Sequence, residues 1–294
     1  MIDYKKLYDD QLKVWDDFRN RVSQLDTVEL RKFDMGTYSI YAQYNPARAV
    51  SSGAKLDAKT IANRKCFLCE CNRPSIQEGI QLDEKFTLLV NPFPILKGHM
   101  TIPIKDHEEQ QILPHIASFI SFCKELPSHT LLYNGPKCGA SAPDHMHFQA
   151  VLKGQLPFEE ELKSVEVRTL SESKDGSMEE FLNYGRKCIH IKSTKASLTQ
   201  SYFEQLYKQL QMLAGTDDEP LMNLFGFYEA GEWHLFVFPR KKHRPTQFFE
   251  EGEKYKMISP GAIDVAGILV LPRKNDFDEL TKEVIEDVFS QVCY

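Results

Sequence analysis

The sequence predicts an α+β fold of two tandem, related halves, each an antiparallel sheet flanked by helices. Three observations lead there. β-Rich runs come in pairs joined by turns, and helix-period segments lie between the pairs. Two hairpins, 86–107 and 221–243, also end alike, as Ile-Pro-Ile-Lys-Asp-His and Phe-Pro-Arg-Lys-Lys-His, each with a His four residues after a Pro.

The elements follow in order. Leu7, Leu12, Trp15, Phe18, Val22 and Leu25 recur near three-to-four spacing, which predicts one amphipathic helix. Alternation in 36–46 predicts a strand ended by Asn45-Pro46, and a loop holding Gly53 leads to a cysteine cluster. Residues 86–107 read as a hairpin turning near Pro92, Pro94 and Gly98. Residues 108–126 have helical spacing, with Pro114 placed in the first turn. "HTLLYN" and "HMHFQAVL" predict two further strands around the small-residue run "GPKCGASAPD". A helix at 200–213, the hairpin 221–243, a strand at 263–273 and a helix at 276–292 complete the chain. The two hairpins suggest an internal duplication, against which stands the frequency of Pro and charge wherever strands end.

The chain has 294 residues and a formal net charge of −6, so neither an extended nucleic-acid groove nor an anionic membrane surface is expected as partner. The charged first residues and the absence of long apolar runs predict a cytoplasmic protein without a signal or spanning segment. Seven cysteines, an odd number, fit reduced thiols better than a disulfide framework.

On a strand, His145, His147 and Gln149 share one face while Met146, Phe148 and Ala150 share the other. A neutral imidazole is nucleophilic at its unprotonated nitrogen and can attack phosphorus to form a phosphoramidate. An amide such as Gln149 can donate to the phosphoryl oxygen, and Gly139, Ala140 and Ser141 are small enough to let backbone N–H groups approach a phosphate. A metal pair is the second reading of His-x-His, and ordinary strand histidines the third. Cys66 and Cys69 have zinc-knuckle spacing, with Cys71 as a possible substitute, yet supply only half a tetrahedral site. No second C-x-x-C exists, so His107 and His145 are the best-placed partners, the alternative being ordinary buried thiols. Among basic residues, Arg73 and Lys137 stand beside these elements, whereas Arg240, Lys241, Lys242, Arg273 and Lys274 sit at strand exits.

Together, "CFLCECNR", "NPFPILKGHMTIPIKDH" and "HMHFQ" resemble, in order and spacing, the histidine triad (HIT-like) superfamily, in its galactose-1-phosphate uridylyltransferase branch. "DHMHFQA" with "LPFEEEL", and the late "ISPGAIDVAGILVLPRKNDFDEL", are similar to the GDP-hexose phosphorylases, and diadenosine polyphosphate phosphorylases share the His-x-His-x-Gln logic. The likeness spans about 66–280. Met146 and Glu70-Cys71 depart from the family's Pro and Pro-Gly, and Arg73 stands one position early.

The resemblance implies that His147 is the nucleophile and Gln149 its phosphate partner. It also implies that Cys66, Cys69, His107 and His145 bind a structural zinc. Asn91, Asn134, Lys137, Gly139, Ser141 and Arg73 are the expected substrate contacts. The expected organisation is an extension at 1–60 packing on the core, a HIT-like half at 61–195 with the catalytic strand, and a second half at 196–294 without the nucleophile. The expected activity is nucleotidyl transfer through a nucleotidyl-histidine, from a nucleoside diphosphate sugar or dinucleoside polyphosphate to phosphate or a sugar 1-phosphate, by a monomer or homodimer. A nucleotide hydrolase of the same superfamily and a non-catalytic nucleotide- or zinc-binding protein are the alternatives.

Overall fold

Residues 2–53 and 58–294 are described by a computed structural model. The predicted N-terminal helix is two helices, Tyr4–Val14 and Asp16–Gln24, because Trp15 takes an extended conformation (φ −111°, ψ 93°) and buries its ring. The Arg19 guanidinium binds the carbonyls of Leu12 and Lys13 at 3.1 and 3.2 Å, satisfying acceptors at the break. Both helices pack their apolar side on the main core, as the spacing predicts. Within the predicted loop after Pro46, Ala49–Ser52 and Ala58–Asn63 are short helices, while 54–57 lie outside the described residues.

Among the described residues thirteen strands follow: β1 (Glu29–Asp34), β2 (Ser39–Tyr44), β3 (Gly79–Gln81), β4 (Thr87–Val90), β5 (Met100–Pro103), β6 (His129–Asn134), β7 (His147–Leu152), β8 (Val167–Ser173), β9 (Gly176–Phe181), β10 (Ile189–Ser193), β11 (Met222–Glu229), β12 (Glu232–Pro239) and β13 (Ile268–Leu271). Ten form one antiparallel sheet in the order β3-β4-β5-β7-β6-β11-β12-β10-β9-β8. β1, β2 and β13 form a small second sheet, with β13 parallel to β2. The chain is thus α+β, with a large antiparallel sheet flanked by helices.

Read from the centre outward, the two sides repeat: β6-β7-β5-β4-β3 against β11-β12-β10-β9-β8. Helix Ile116–Glu125 precedes β6 as helix Ala196–Ala214 precedes β11. This topology matches β11–β12 with β6–β7, not with the β4–β5 hairpin whose exit it echoes. It also places β8, β9 and β10 in the second repeat, whereas a boundary at residue 195 assigns them to the first. Of these, β8 escapes sequence reading because Val167–Ser173 is exposed along nearly its whole length and shows no burial alternation.

One face of the sheet is covered by the N-terminal helices and the helices Ile116–Glu125 and Ala196–Ala214. The other face carries β2, β13 and helix Lys282–Val292. Pro114 sits in the 3-10 turn Leu113–His115 before its helix, as expected for a residue without an N–H. Among the described residues, no helix is long and apolar enough to cross a membrane.

On the helix-covered face, His129 is buried, and its ring meets Tyr4 edge to face at 4.3 Å. Neither ring nitrogen has a hydrogen-bond partner among the described residues, and burial pushes the imidazole down to about 4. Its ordinary value is 6.5, so the unfolded chain binds this proton first. The stability contribution is full above pH 6.5 and is lost as pH falls toward 4. We expect chemical denaturation to show stability falling across that window by up to ~3 kcal/mol from this residue, at ~1.4 kcal/mol per pKa unit. His129→Phe should flatten the fall; an unchanged pH profile in this variant would remove His129 as its source.

Candidate active site

Three strands in register build the floor of the site. Thr101 of β5 pairs with Gln149 of β7, and Leu132 of β6 pairs with the same Gln149 on the other side. These residues, with His147 and Asn134, line a cleft of about 810 Å³. Phe148 and Ala150 point to the opposite face and enter the helix-covered core. The strand alternation is therefore as the sequence predicts for His147 and Gln149. His145 differs: β7 begins at His147, and the preceding turn sends His145 toward the cysteines.

His147 is buried, and its Nδ1–H donates to the carbonyl of His145 at 2.8 Å. A carbonyl only accepts, so Nε2 is the unprotonated nitrogen of the neutral ring. Burial holds the imidazole at about 4, which keeps it neutral near pH 7. The backbone here is clamped by Gln110. Its Oε1 accepts the His147 N–H at 2.8 Å, and its Nε2 donates to the carbonyls of His147 and Asn134 at 3.0 and 2.9 Å.

Gln149 is oriented by His99. The Ile95 N–H donates to His99 Nδ1 at 3.2 Å, so His99 Nε2 carries the hydrogen and donates to Gln149 Oε1 at 2.7 Å. With its oxygen engaged, Gln149 keeps its NH₂ as the free donor. Asn91 Oδ1 likewise accepts the Phe93 N–H at 3.0 Å, and Asn134 Oδ1 accepts from Ala262 N–H and Asn223 Nδ2 at 2.7 and 3.0 Å.

The second wall comes from the far end of the chain. Ser259, Gly261, Asp264, His243 and Arg244 line the same cleft. Gly139 has φ +100°, and a Cβ there would lie 2.5 Å from Gly261 Cα, so the two loops meet backbone to backbone. Gly139→Ala is expected to cost on the order of 1–3 kcal/mol of stability through left-handed strain and the displaced Gly261 loop. Denaturant unfolding checks this, and a wild-type midpoint would show that the contact yields freely.

Beside the cleft, Cys66, Cys69, His107 and His145 place one ligand atom each within 4.8 Å of all the others. His145 Nδ1 lies 3.3 Å from Cys66 Sγ, 3.5 Å from Cys69 Sγ and 3.3 Å from His107 Nδ1, and Cys69 Sγ lies 3.2 Å from His107 Nδ1. Nε2–H of His145 donates to the Ile104 carbonyl at 2.8 Å, turning the lone pair of Nδ1 toward the cluster. Burial alone would raise the Cys66 thiol, but the adjacent His145 imidazole and hydrogen bonds from the Leu68 and Cys69 backbone outweigh it and hold the thiol at about 6. Cys69 is pushed up to about 11 by burial and by Cys66. These four residues could hold a metal ion. Cys71 is exposed and outside the group.

Of the expected substrate contacts, Arg73, Asn91, Asn134, Gly139 and Ser141 line the cleft with His147 and Gln149. Lys137 does not: its side chain is exposed at the turn before Cys138, away from the lining. Arg240 is no solvated strand-exit residue but is fully buried, binding the carbonyls of Val292, Lys242, His243 and Pro260 and the amide of Asn223. Sequence reading missed Arg48, Arg64, Arg244, His243 and Ser259 in the lining. The quoted "SPGAID" run and the repeated Pro-x-x-x-His exit were the available signals for the last two.

Residues 7–152 match the family described as "Domain of unknown function (DUF4922)". No curated protein matches the chain. Among solved structures, yeast Ap4A phosphorylase Apa2 superposes with a TM-score of 0.62 at 13% identity, covering 95% of this chain and 96% of that one. Its complex with Ap4A gives a TM-score of 0.57 at 14% identity, with the same coverage. The chain therefore has the histidine-triad-like fold, shared with yeast Ap4A phosphorylase over nearly its whole length.

Proposed function

We propose that the protein is a nucleotidyltransferase or phosphorylase that works through a covalent nucleotidyl-histidine on His147. The observation that carries this is the fixed tautomer: Nδ1–H donates to the His145 carbonyl, which leaves Nε2 unprotonated in a neutral ring lining the cleft. In the first step, Nε2 attacks the α-phosphorus of a nucleoside diphosphate sugar or dinucleoside polyphosphate. The bridging P–O bond breaks, and the departing phosphate takes its electron pair. Because Nδ1 keeps its hydrogen, the substituted ring is cationic, and its charge is met by the His145 carbonyl.

In the second step, an oxygen of phosphate or of a sugar 1-phosphate attacks the same phosphorus. The P–N bond breaks, its electron pair returns to Nε2, and a nucleoside diphosphate or sugar nucleotide leaves. The Gln149 NH₂, held outward by His99, donates to the phosphoryl oxygen as charge builds there. Arg73, Asn91, Asn134, Gly139 and Ser141 take the remaining substrate contacts. The described complex of yeast Ap4A phosphorylase with Ap4A supports a dinucleoside polyphosphate as one candidate donor.

The metal is proposed to be a structural zinc. Tetrahedral zinc with Zn–S of about 2.3 Å and Zn–N of about 2.0–2.1 Å requires ligand–ligand edges of about 3.3–3.8 Å. Four of the six edges are 3.2–3.5 Å, at or just below this range, and all four ligand atoms lie within 4.8 Å of one another. All four positions would be protein ligands, so the ion would hold the loop at Cys66 against the turn that feeds β7 and take no part in bond making.

The test is incubation with α-³²P-labelled GDP-hexoses, UDP-hexoses and diadenosine tetraphosphate, with and without phosphate. Acid-labile label on protein that phosphate discharges as nucleoside diphosphate is the expected result. Discharge by water alone at the same rate would make the protein a hydrolase instead. Absence of label from every donor would end the covalent reading.

A further inference from the structure

The His243 exit and the "SPG" turn lie far from β7 in sequence, yet both face the cleft. Arg244 Nε–H donates to Ser259 Oγ at 2.9 Å, and His243 Nε2 lies 3.3 Å from the same oxygen. With the His243 hydrogen on Nε2, the hydroxyl accepts from both neighbours and still has its own hydrogen to give. Beneath them, the Arg240 guanidinium ties the His243 and Pro260 carbonyls together at 3.1 Å each. Arg240 forms no ion pair with a carboxylate among the described residues, so its buried charge raises the positive potential under both segments.

Asp264 offsets part of that potential, but four arginines, Arg48, Arg64, Arg73 and Arg244, stand with it among the described lining residues. Asp264 is the lone carboxylate among the described lining residues, and its two oxygens accept the N–H groups of Gly261 and Val270 at 2.9 and 2.8 Å. The turn is also seated against the first repeat, since Gly261 abuts Gly139 and Ala262 N–H binds Asn134. The cluster is thereby tied to the loops beside His147.

We propose that Ser259, Arg244 and His243 form the subsite for the phosphate group that leaves in the first step and enters in the second. The ligand is a phosphate dianion, either orthophosphate or the phosphate end of a sugar phosphate, bound by the hydroxyl and the guanidinium. In-line displacement at each step puts both groups opposite Nε2, so one subsite serves both. This rests on the proposed covalent reaction at His147. No proton has to move when HPO₄²⁻ enters: the new P–O bond forms as the P–N bond breaks, and Nε2 recovers its electron pair.

The test bypasses the leaving phosphate. The full-length protein is charged with α-³²P-labelled nucleoside 5′-phosphorimidazolides of the four common bases, whose leaving group is imidazole, and then discharged with orthophosphate or hexose 1-phosphate. Ser259→Ala and Arg244→Gln should label within twofold of wild type but need at least tenfold more acceptor for half-maximal discharge. Ser259→Ala keeps the Arg244 bond to the Ser52 carbonyl, so it reports even where Arg244→Gln loosens that link. Wild-type acceptor dependence in Ser259→Ala and Arg244→Gln would overturn the subsite alone. A parallel loss of labelling would also overturn it, assigning the cluster to the nucleotide pocket. Absence of label on the wild type would overturn the covalent reading and the subsite with it.

Discussion

His147→Ala is expected to abolish acid-labile labelling and to lower turnover by at least ~10³-fold, since removing a covalent nucleophile leaves only binding and electrostatic stabilisation. Neither His145 nor His99 can substitute. His145 offers its Nε2–H to Ile104 and turns Nδ1 to the cysteines, while His99 spends both nitrogens on Ile95 and Gln149. Gln149→Ala should act differently, still forming the intermediate but slowing both steps by about 10–10³-fold through loss of one donor to the phosphoryl oxygen. Filter-binding of acid-labile label and steady-state rates measure both variants. Equal labelling of His147→Ala and wild type would place the nucleophile elsewhere.

The second large effect concerns the metal. Purified protein should carry one zinc per chain, and Cys66→Ser should lose it. The apolar cluster at this loop is small, consisting of Cys66, Leu68 and Ala142 with Cys69 packed against it. So little apolar surface cannot by itself fix the loop, which leaves the four ligands as its main anchor. Loss of a few kcal/mol there corresponds to a fall in Tm on the order of 10 °C for a domain of this size. Metal analysis together with a thermal scan before and after chelation measures this. Less than one zinc per chain, or an unchanged Tm in Cys66→Ser, would remove the structural metal. Because Arg64 of the same loop lines the cleft and pairs with Asp144, activity should fall along with the metal.

Much of this molecule could be read from local pattern. Period-two alternation in β7 gave the core face of Phe148 and Ala150 and the cleft face of His147 and Gln149, because successive strand residues must point to opposite sides. The small residues of 139–141 marked a close backbone approach, and Gly139 meets Gly261 there. The N-terminal helix was legible as a whole, but its break at Trp15 was not: the break depends on the Trp ring finding a core and on Arg19 binding the freed carbonyls.

What the sequence by itself determined was the α+β class, the polar face of β7 and the cysteine and histidine set that the structure draws together. Each follows from residues close in sequence or from a donor chemistry few residues supply. Only the tertiary structure decided that β10 pairs with β12 and carries β9 and β8 outward from it, that Lys137 stays outside the cleft, and that Arg240 is buried. It alone brought Ser259, His243 and Arg244 to the site. Those facts depend on which distant segments share hydrogen bonds across the sheet, and sequence periodicity encodes the face a residue takes but not the strand it will meet.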